Sequence, residues 1–191
     1  MEHKYYNTEE QIRELTNRID NLCSMHDNPS QAVLIAYLAG IIDGEGTIRI
    51  NKVKAKKNWN YSYYLQMSCG MTCKEVPELL KKIFGGNVRE ERVADGYRSI
   101  WRWALTGRFQ IYVVLKLLKT YLIVKKEQVA VALDFCEKWK NPVRHHHVWL
   151  IDNQQISLRE DMYWKMRKLN AVGKQAQRLN ESGIREDEAI V

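Results

Sequence analysis

The apolar pattern of this chain predicts an α+β fold: an antiparallel sheet covered by helices on one face. Three observations carry that expectation. Apolar and polar residues alternate in 47–53 and 61–72, and a second pair of strand segments, 87–93 and 98–105, shows the same alternation at Trp101, Trp103 and Leu105. Helical spacing of apolar residues precedes, separates and follows these pairs, at 31–42, 74–84 and 108–120. In the first strand pair the residues facing away from the apolar side are polar or basic, so the sheet has one buried and one wet face.

The elements follow in order. A short amphipathic helix is expected at 9–22, then a polar linker, His26-Asp27-Asn28. Pro29-Ser30 opens a stronger helix at 31–42, where Ala32, Ala36 and Gly40 recur every four residues. Such a row of small side chains lets another helix approach closely, from within the chain or from a second copy. The strand at 47–53 sets Ile48 and Ile50 against Thr47, Arg49 and Asn51. The next, 61–72, sets Tyr63, Leu65, Met67, Cys69 and Met71 against Ser62, Tyr64, Gln66, Ser68 and Gly70.

A helix at 74–84 points Val76, Leu79, Leu80 and Ile83 inward; Pro77 is expected to delay its regular part, and Gly85-Gly86 to stop it. The second strand pair turns through Asp95-Gly96. Trp101, Trp103 and Leu105 form its apolar face, and Arg89, Arg92, Arg98 and Arg102 decorate it, with the parity that faces outward left open. Thr106 is placed to cap a helix at 108–120. Residues 121–125 make a corner, and a helix at 126–140 ends at Asn141-Pro142. A last helix, 158–170, carries Lys165, Arg167 and Lys168, and the polar tail from Asn180 is expected to fray.

With 191 residues, 45% hydrophobic and 28% charged, the chain is sized for one soluble domain with appendages. The expected division is an N-terminal helical extension at 1–28, a core at 29–140, and a C-terminal helical extension with a flexible tail at 141–191. The longest apolar run, 32–42, is too short to span a membrane. Residues 1–20 lack a signal-peptide core and are too acidic for a transit peptide. The expected location is the cytoplasm or nucleoid, or an organelle matrix for an organelle-encoded protein, with no membrane partner.

Charge is concentrated rather than spread. Residues 1–47 carry a net −5, residues 48–126 a net +12, and residues 127–191 balance. A basic middle segment favours a polyanion, and nucleic acid is the default candidate. The four cysteines contain no CxxC, and Cys69 is expected to be a buried thiol rather than a zinc ligand. His145-His146-His147 reads as a solvated basic loop.

The stretch LAGIIDGEGTIRI, 38–50, ends a helix and starts a strand with two carboxylates between, Asp43 and Glu45. Residues two apart on a helix point to nearly opposite sides, so these acids are not one paired site. Gly44 is expected to loosen the helix and Asp43 to hydrogen-bond locally at the junction. Glu45, beside exposed carbonyls at a helix end, is a seat for a hard divalent cation.

Leu38-Ala39-Gly40-Ile41-Ile42-Asp43-Gly44-Glu45-Gly46 closely resembles the signature of the LAGLIDADG homing endonucleases. The strand, strand, helix, strand, strand, helix order behind it is that family's order, and the resemblance covers roughly 30–140. It implies an αββαββα core that cuts long DNA sites on both strands across the minor groove, leaving 3′ overhangs. It implies Mg²⁺ held by Glu45 and the neighbouring Gly44, where two such sites activate water and stabilise the leaving oxygens. A single motif implies a homodimer packed at its dyad through Ala32, Ala36, Ala39 and Gly40. The resemblance also implies an active-site lysine in 121–128; Lys125 takes that position, with Lys126 as a rival. Where the family carries Gln or Asn before the second helix, this chain has Cys73, a poor hydrogen-bonding substitute.

The polar sheet face then supplies the expected DNA readers: Arg49, Asn51, Tyr64, Gln66, Ser68, Arg89, Arg92, Arg98 and Arg102. Lys52, Lys54, Lys56 and Lys57 are expected on phosphates, which position without specifying. Two other readings stay open: an intron RNA maturase on the same fold, and a DNA-binding regulator without cleavage. An acid at position 45 favours the enzyme, because a pure binder has no use for a carboxylate near phosphates.

Overall fold

The computed structural model describes residues 8–24, 30–54, 61–92, 97–139, 143–145, 148–150 and 152–171. In chain order its elements are α1 (Thr8–Ser24), α2 (Gln31–Glu45), β1 (Gly46–Val53), β2 (Ser62–Met71), α3 (Glu75–Phe84), β3 (Asn87–Glu91) and β4 (Ile100–Thr106). They continue with α4 (Arg108–Leu118), α5 (Lys126–Glu137), β5 (Val143–His145), β6 (Val148–Leu150) and α6 (Asn153–Asn170). The architecture is the expected one, an antiparallel four-stranded sheet under helices. Its strand order is β1-β2-β4-β3, so the second hairpin inserts β4 beside β2.

Register explains which face is buried. Ile48 lies opposite Met67, Ile50 opposite Leu65, Met67 opposite Leu105, and Cys69 opposite Trp103. All of them are at most 4% exposed, and they meet Leu38 and Ile42 of α2, Leu80 and Ile83 of α3, and Ile111 and Leu115 of α4. Each such apolar side chain contributes about 1.5–3 kcal/mol on burial. Among the described residues no helix covers the opposite face of the sheet.

Several local expectations are corrected. The motif helix does not loosen at Gly44; α2 runs through Glu45, and the Gly46 N–H closes it on the Ile42 carbonyl. A Cβ on Gly46 would stand 2.5 Å from that carbonyl oxygen, so helix turns into strand with no loop because this residue is glycine. The α4 cap is Gly107, at φ 118°, and Thr106 remains the last residue of β4. Pro77 sits inside the first turn of α3, where its missing N–H breaks no helical bond. Residues 143–145 and 148–150 pair as a small hairpin where a loop was expected. Finally, α6 starts five residues earlier than predicted, at Asn153, because Asp152 caps it by accepting from the Gln154 N–H.

That last helix is part of the core. Met162 and Met166 are buried against α5 and β1, and the Asn170 amide donates to the Ile48 carbonyl at 2.8 Å, covering the open edge of β1. Lys52 is the consequence that matters for function. Its ammonium pairs with Glu160 at 2.9 Å, with side chains 7% and 15% exposed, and lies 4.1 Å from the centre of the Tyr61 ring. Tyr63 and Trp164 also donate to Glu160. Lys52 is therefore a structural cation rather than a phosphate contact.

Candidate active site

The end of α2 presents two acids in two different states. Asp43 reaches across to the corner before α5, where its carboxylate accepts the backbone N–H groups of Ile123 at 2.5 Å, Val124 at 3.1 Å and Lys125 at 3.0 Å. Those partners lie about 80 residues away in sequence, so the expected local bond is replaced by a long-range one. Burial pushes the Asp43 carboxyl up, but the three donors and the Lys125 charge outweigh it and hold it below its ordinary value of 3.8. The Lys125 ammonium donates in return to the Asp43 carbonyl. Lys126, the alternative lysine, is exposed as the first residue of α5.

Glu45 is exposed, and no described residue hydrogen-bonds its carboxylate. It belongs with Lys125 all the same. The Cys69 thiol is pushed up to about 11, by burial first and by Glu45 next; Arg102 and Lys125 act against this, and Cys73 adds to it. Geometry agrees: Lys125 is tied to the Asp43 carbonyl two residues before Glu45, and Cys69 lies opposite Gly46, the residue after it.

This donor set fits a hard cation. The Ile42 carbonyl is taken by Gly46 and the Asp43 carbonyl by Lys125, which leaves Gly44 carrying a carbonyl beside the Glu45 carboxylate at the helix end. Among the described residues no three ligating side chains cluster, so one chain offers one carboxylate. Mg²⁺ suits such a sparse site, because it keeps waters and takes its remaining ligands from phosphates.

The open sheet face settles the parity of the second hairpin. Arg89 and Arg102 are direct cross-strand partners on it, beside Gly70. Arg49 and Asn51 both donate to the Gln66 side-chain oxygen Oε1, at 2.9 and 3.1 Å, and Tyr64 is 40% exposed next to them. Ser68 shares the face but is only 4% exposed, flanked by Thr47 and Ala104, and is closed to a partner in this state. Arg92 and Arg98 lie just beyond the strand ends and are exposed. Lys54 stands 5.1 Å from the Tyr61 ring centre, while Lys56 and Lys57 fall outside the described residues. Glu91 was missed by sequence reasoning, although its two-residue spacing from Arg89 puts it on the same face.

The outer side of α2 is apolar as well as the inner. Ala32, Ala36 and Gly40 are exposed together with Val33 and Tyr37, which are 54% and 50% exposed. Ala39 differs from its expected grouping: one residue round the helix from Gly40, it is fully buried in this chain's own core. A Cβ on Gly40 or Gly44 would meet nothing within 4 Å. Ile123 and Val124, 76% and 72% exposed, lie in the corner that Asp43 holds.

No curated protein matches the chain. Among solved structures it is similar to the homing endonuclease I-CvuI in complex with the I-CreI target in the presence of 2 mM Mg, its DNA not cleaved. That likeness has 21% identity and a TM-score of 0.57, over 78% of this chain and 92% of that one. The archaeal intron-encoded homing endonuclease I-Vdi141I complexed with DNA is similar at 16% identity and a TM-score of 0.57, over 79% and 92%. The LAGLIDADG homing endonuclease I-GzeII in complex with a DNA target follows at 12% and 0.53, over 78% and 49%. At these identities the likenesses establish the fold. The family model described as LAGLIDADG endonuclease matches residues 38–137, more than half of the sequence. With the motif at the end of α2 and the sheet behind it, this chain belongs to the LAGLIDADG endonuclease family.

Proposed function

We propose that the protein is a homodimeric, divalent-metal-dependent endonuclease that cuts long, near-palindromic double-stranded DNA sites on both strands, leaving 3′ overhangs. The observation that carries this reading is the pairing at the end of α2. An exposed, unbonded Glu45 carboxylate stands beside a lysine that Asp43 anchors by backbone and side chain. The three structural neighbours above were each crystallised with DNA, which supports duplex DNA as the substrate.

Each residue then has a task. The Glu45 carboxylate and Gly44 carbonyl hold the cation, which when bound polarises water and the scissile phosphate. Lys125 places a positive charge next to that phosphate, stabilising developing negative charge. Arg49, Asn51, Tyr64, Gln66, Arg89 and Arg102 read the major groove from the open sheet, and Lys54 and Lys56 neutralise phosphates.

The homodimer reading rests on Gly40. Glycine inside a helix costs about 1 kcal/mol relative to alanine, and no described residue crowds Gly40. A close-packed partner helix accounts for it, together with exposed Val33 and Tyr37. Ile123 and Val124 extend the same apolar surface beside the site.

The test is incubation with a randomised duplex library, with and without Mg²⁺, followed by sequencing of the cut ends. Cuts at one recurrent, two-fold-related site, in Mg²⁺ alone, support the reading. Recovery of bound but uncut duplex points to a regulator, and binding of structured RNA in preference to duplex points to a maturase.

A further inference from the structure

The outer face of the second hairpin carries a built arrangement in which the reading above gives Glu91 no task. Arg89 and Arg102 lie directly opposite each other on adjacent strands, where two like charges repel. Glu91, on the same face, resolves this. One carboxylate oxygen accepts the Arg89 Nε and Nη2 groups at 3.1 and 2.7 Å, and the other accepts the Arg102 Nε at 2.8 Å. The Arg102 guanidinium then lies over Gly70, where a Cβ would stand 3.3 Å from Nη1. A glycine at 70 leaves room for the arginine on its open side.

This geometry uses up the Nε of Arg102 and leaves its two Nη groups without a bond among the described residues. A guanidinium held this way presents a fixed fork of donors. In the major groove that fork matches O6 and N7 of guanine, and no other base edge offers two acceptors so placed. A phosphate contact needs no such restraint, since a free arginine finds a phosphate by its charge alone.

We propose that Glu91 is a positioning residue which locks Arg102 as a guanine reader, so that each half-site requires a G·C pair at the step facing Gly70 and Arg102. The inference rests on the open sheet face meeting duplex DNA. The carboxylate also cuts the net charge of the trio from two positive charges to one. That weakens binding to unrelated DNA and sharpens the choice.

The experiment compares full-length wild type, Glu91→Gln and Arg102→Ala on the randomised duplex library, scoring base preference at every position. Each variant is also titrated with salt on the recovered site and on a scrambled duplex. Glu91→Gln is expected to lose preference for guanine at one symmetric pair of positions by roughly 5- to 150-fold, matching Arg102→Ala at the same positions. Binding of the scrambled duplex should tighten, and its salt slope should steepen by about one unit per protomer. A merely structural role would instead lower the melting temperature and weaken every position alike. Unchanged preference in Glu91→Gln, or a uniform loss with a lowered melt, overturns the inference while the DNA reading stands. If wild type itself recovers no site, the DNA reading falls and this one falls with it.

Discussion

Asp43 and Lys125 hold each other from opposite ends of the core. The Asp43 carboxylate takes the Lys125 backbone N–H at 3.0 Å, and the Lys125 ammonium returns a hydrogen bond to the Asp43 carbonyl. An acid in the signature motif thereby ties down the turn that leads into α5, and holds a lysine at the end of the motif helix. Its neighbour two residues on is left for chemistry.

Asp43→Asn should therefore lose stability and activity together. An amide keeps one acceptor oxygen for three N–H donors and loses the charge, and a hydrogen bond to a charged group contributes about 1.5–3 kcal/mol. The sign with pH follows from the lowered carboxyl. Its contribution is complete above the unfolded value of 3.8 and disappears as pH falls through the lower folded value. Denaturant melts of wild type and variant should differ at pH 7 and converge in strong acid. A constant difference at all pH values would remove the charged clamp.

Gly40→Leu separates folding from association. Within one chain the new side chain meets open space, and helix propensity improves by roughly 0.5–1 kcal/mol. Against a close-packed partner helix it costs about 1–3 kcal/mol through overpacking. Sedimentation should show a dimer for wild type and a folded monomer for the variant. A wild type that is monomeric and still cuts both strands would contradict the dyad arrangement.

Glu160→Ala should destabilise the protein by about 3–5 kcal/mol, because it removes the carboxylate paired with the Lys52 ammonium, 7% exposed. Changing both residues to methionine should recover most of the loss, since a well-packed apolar pair replaces a buried ion pair at little net cost. Thermal melts of the single and double variants measure this. A single variant as stable as wild type would mean that Lys52 escapes to solvent.

Salt should separate the two kinds of surface residue. Six to ten phosphate contacts, as expected of a dimer, lower affinity about 10³–10⁵-fold between about 50 and 200 mM salt. Lys54→Ala with Lys56→Ala should flatten that dependence on all duplexes. Gln66→Ala should leave it intact and relax base choice locally by about 1–3 kcal/mol. The reverse pattern would mean that the surface is divided wrongly.

What was legible in the sequence was what repeats locally. Alternation in 47–53 and 61–72 separates Ile48, Ile50, Leu65 and Met67 from Arg49, Asn51 and Gln66, and the structure keeps that division. The motif places Glu45 because the α2 end and the β1 start are contiguous. Contacts between distant residues left no local trace: Asp43 with the corner before α5, and Lys52 with Glu160, 108 residues on. The strands at 143–145 and 148–150 are three residues each, too short for alternation to register. Gly44 reads as a helix breaker by propensity, yet the tertiary bonds of Asp43 and the local closure of Gly46 on Ile42 keep the helix going one residue past it.

The most direct measurement concerns Glu45. Glu45→Gln keeps the size and polarity of the side chain, and removes the anionic oxygen from a group that bonds to no described residue. Folding, dimerisation and affinity for the recovered duplex should remain within about 0.5 kcal/mol of wild type, as for any surface change away from packing. Cleavage in Mg²⁺ should disappear, because an amide is a poor ligand for a hard cation. Both quantities come from one experiment: labelled duplex is incubated with each protein, and bound and cut fractions are read from the same samples. Bound and uncut DNA is the predicted result. Cutting by pure Glu45→Gln at close to the wild-type rate would contradict the assignment of Glu45, and with it the account of the site.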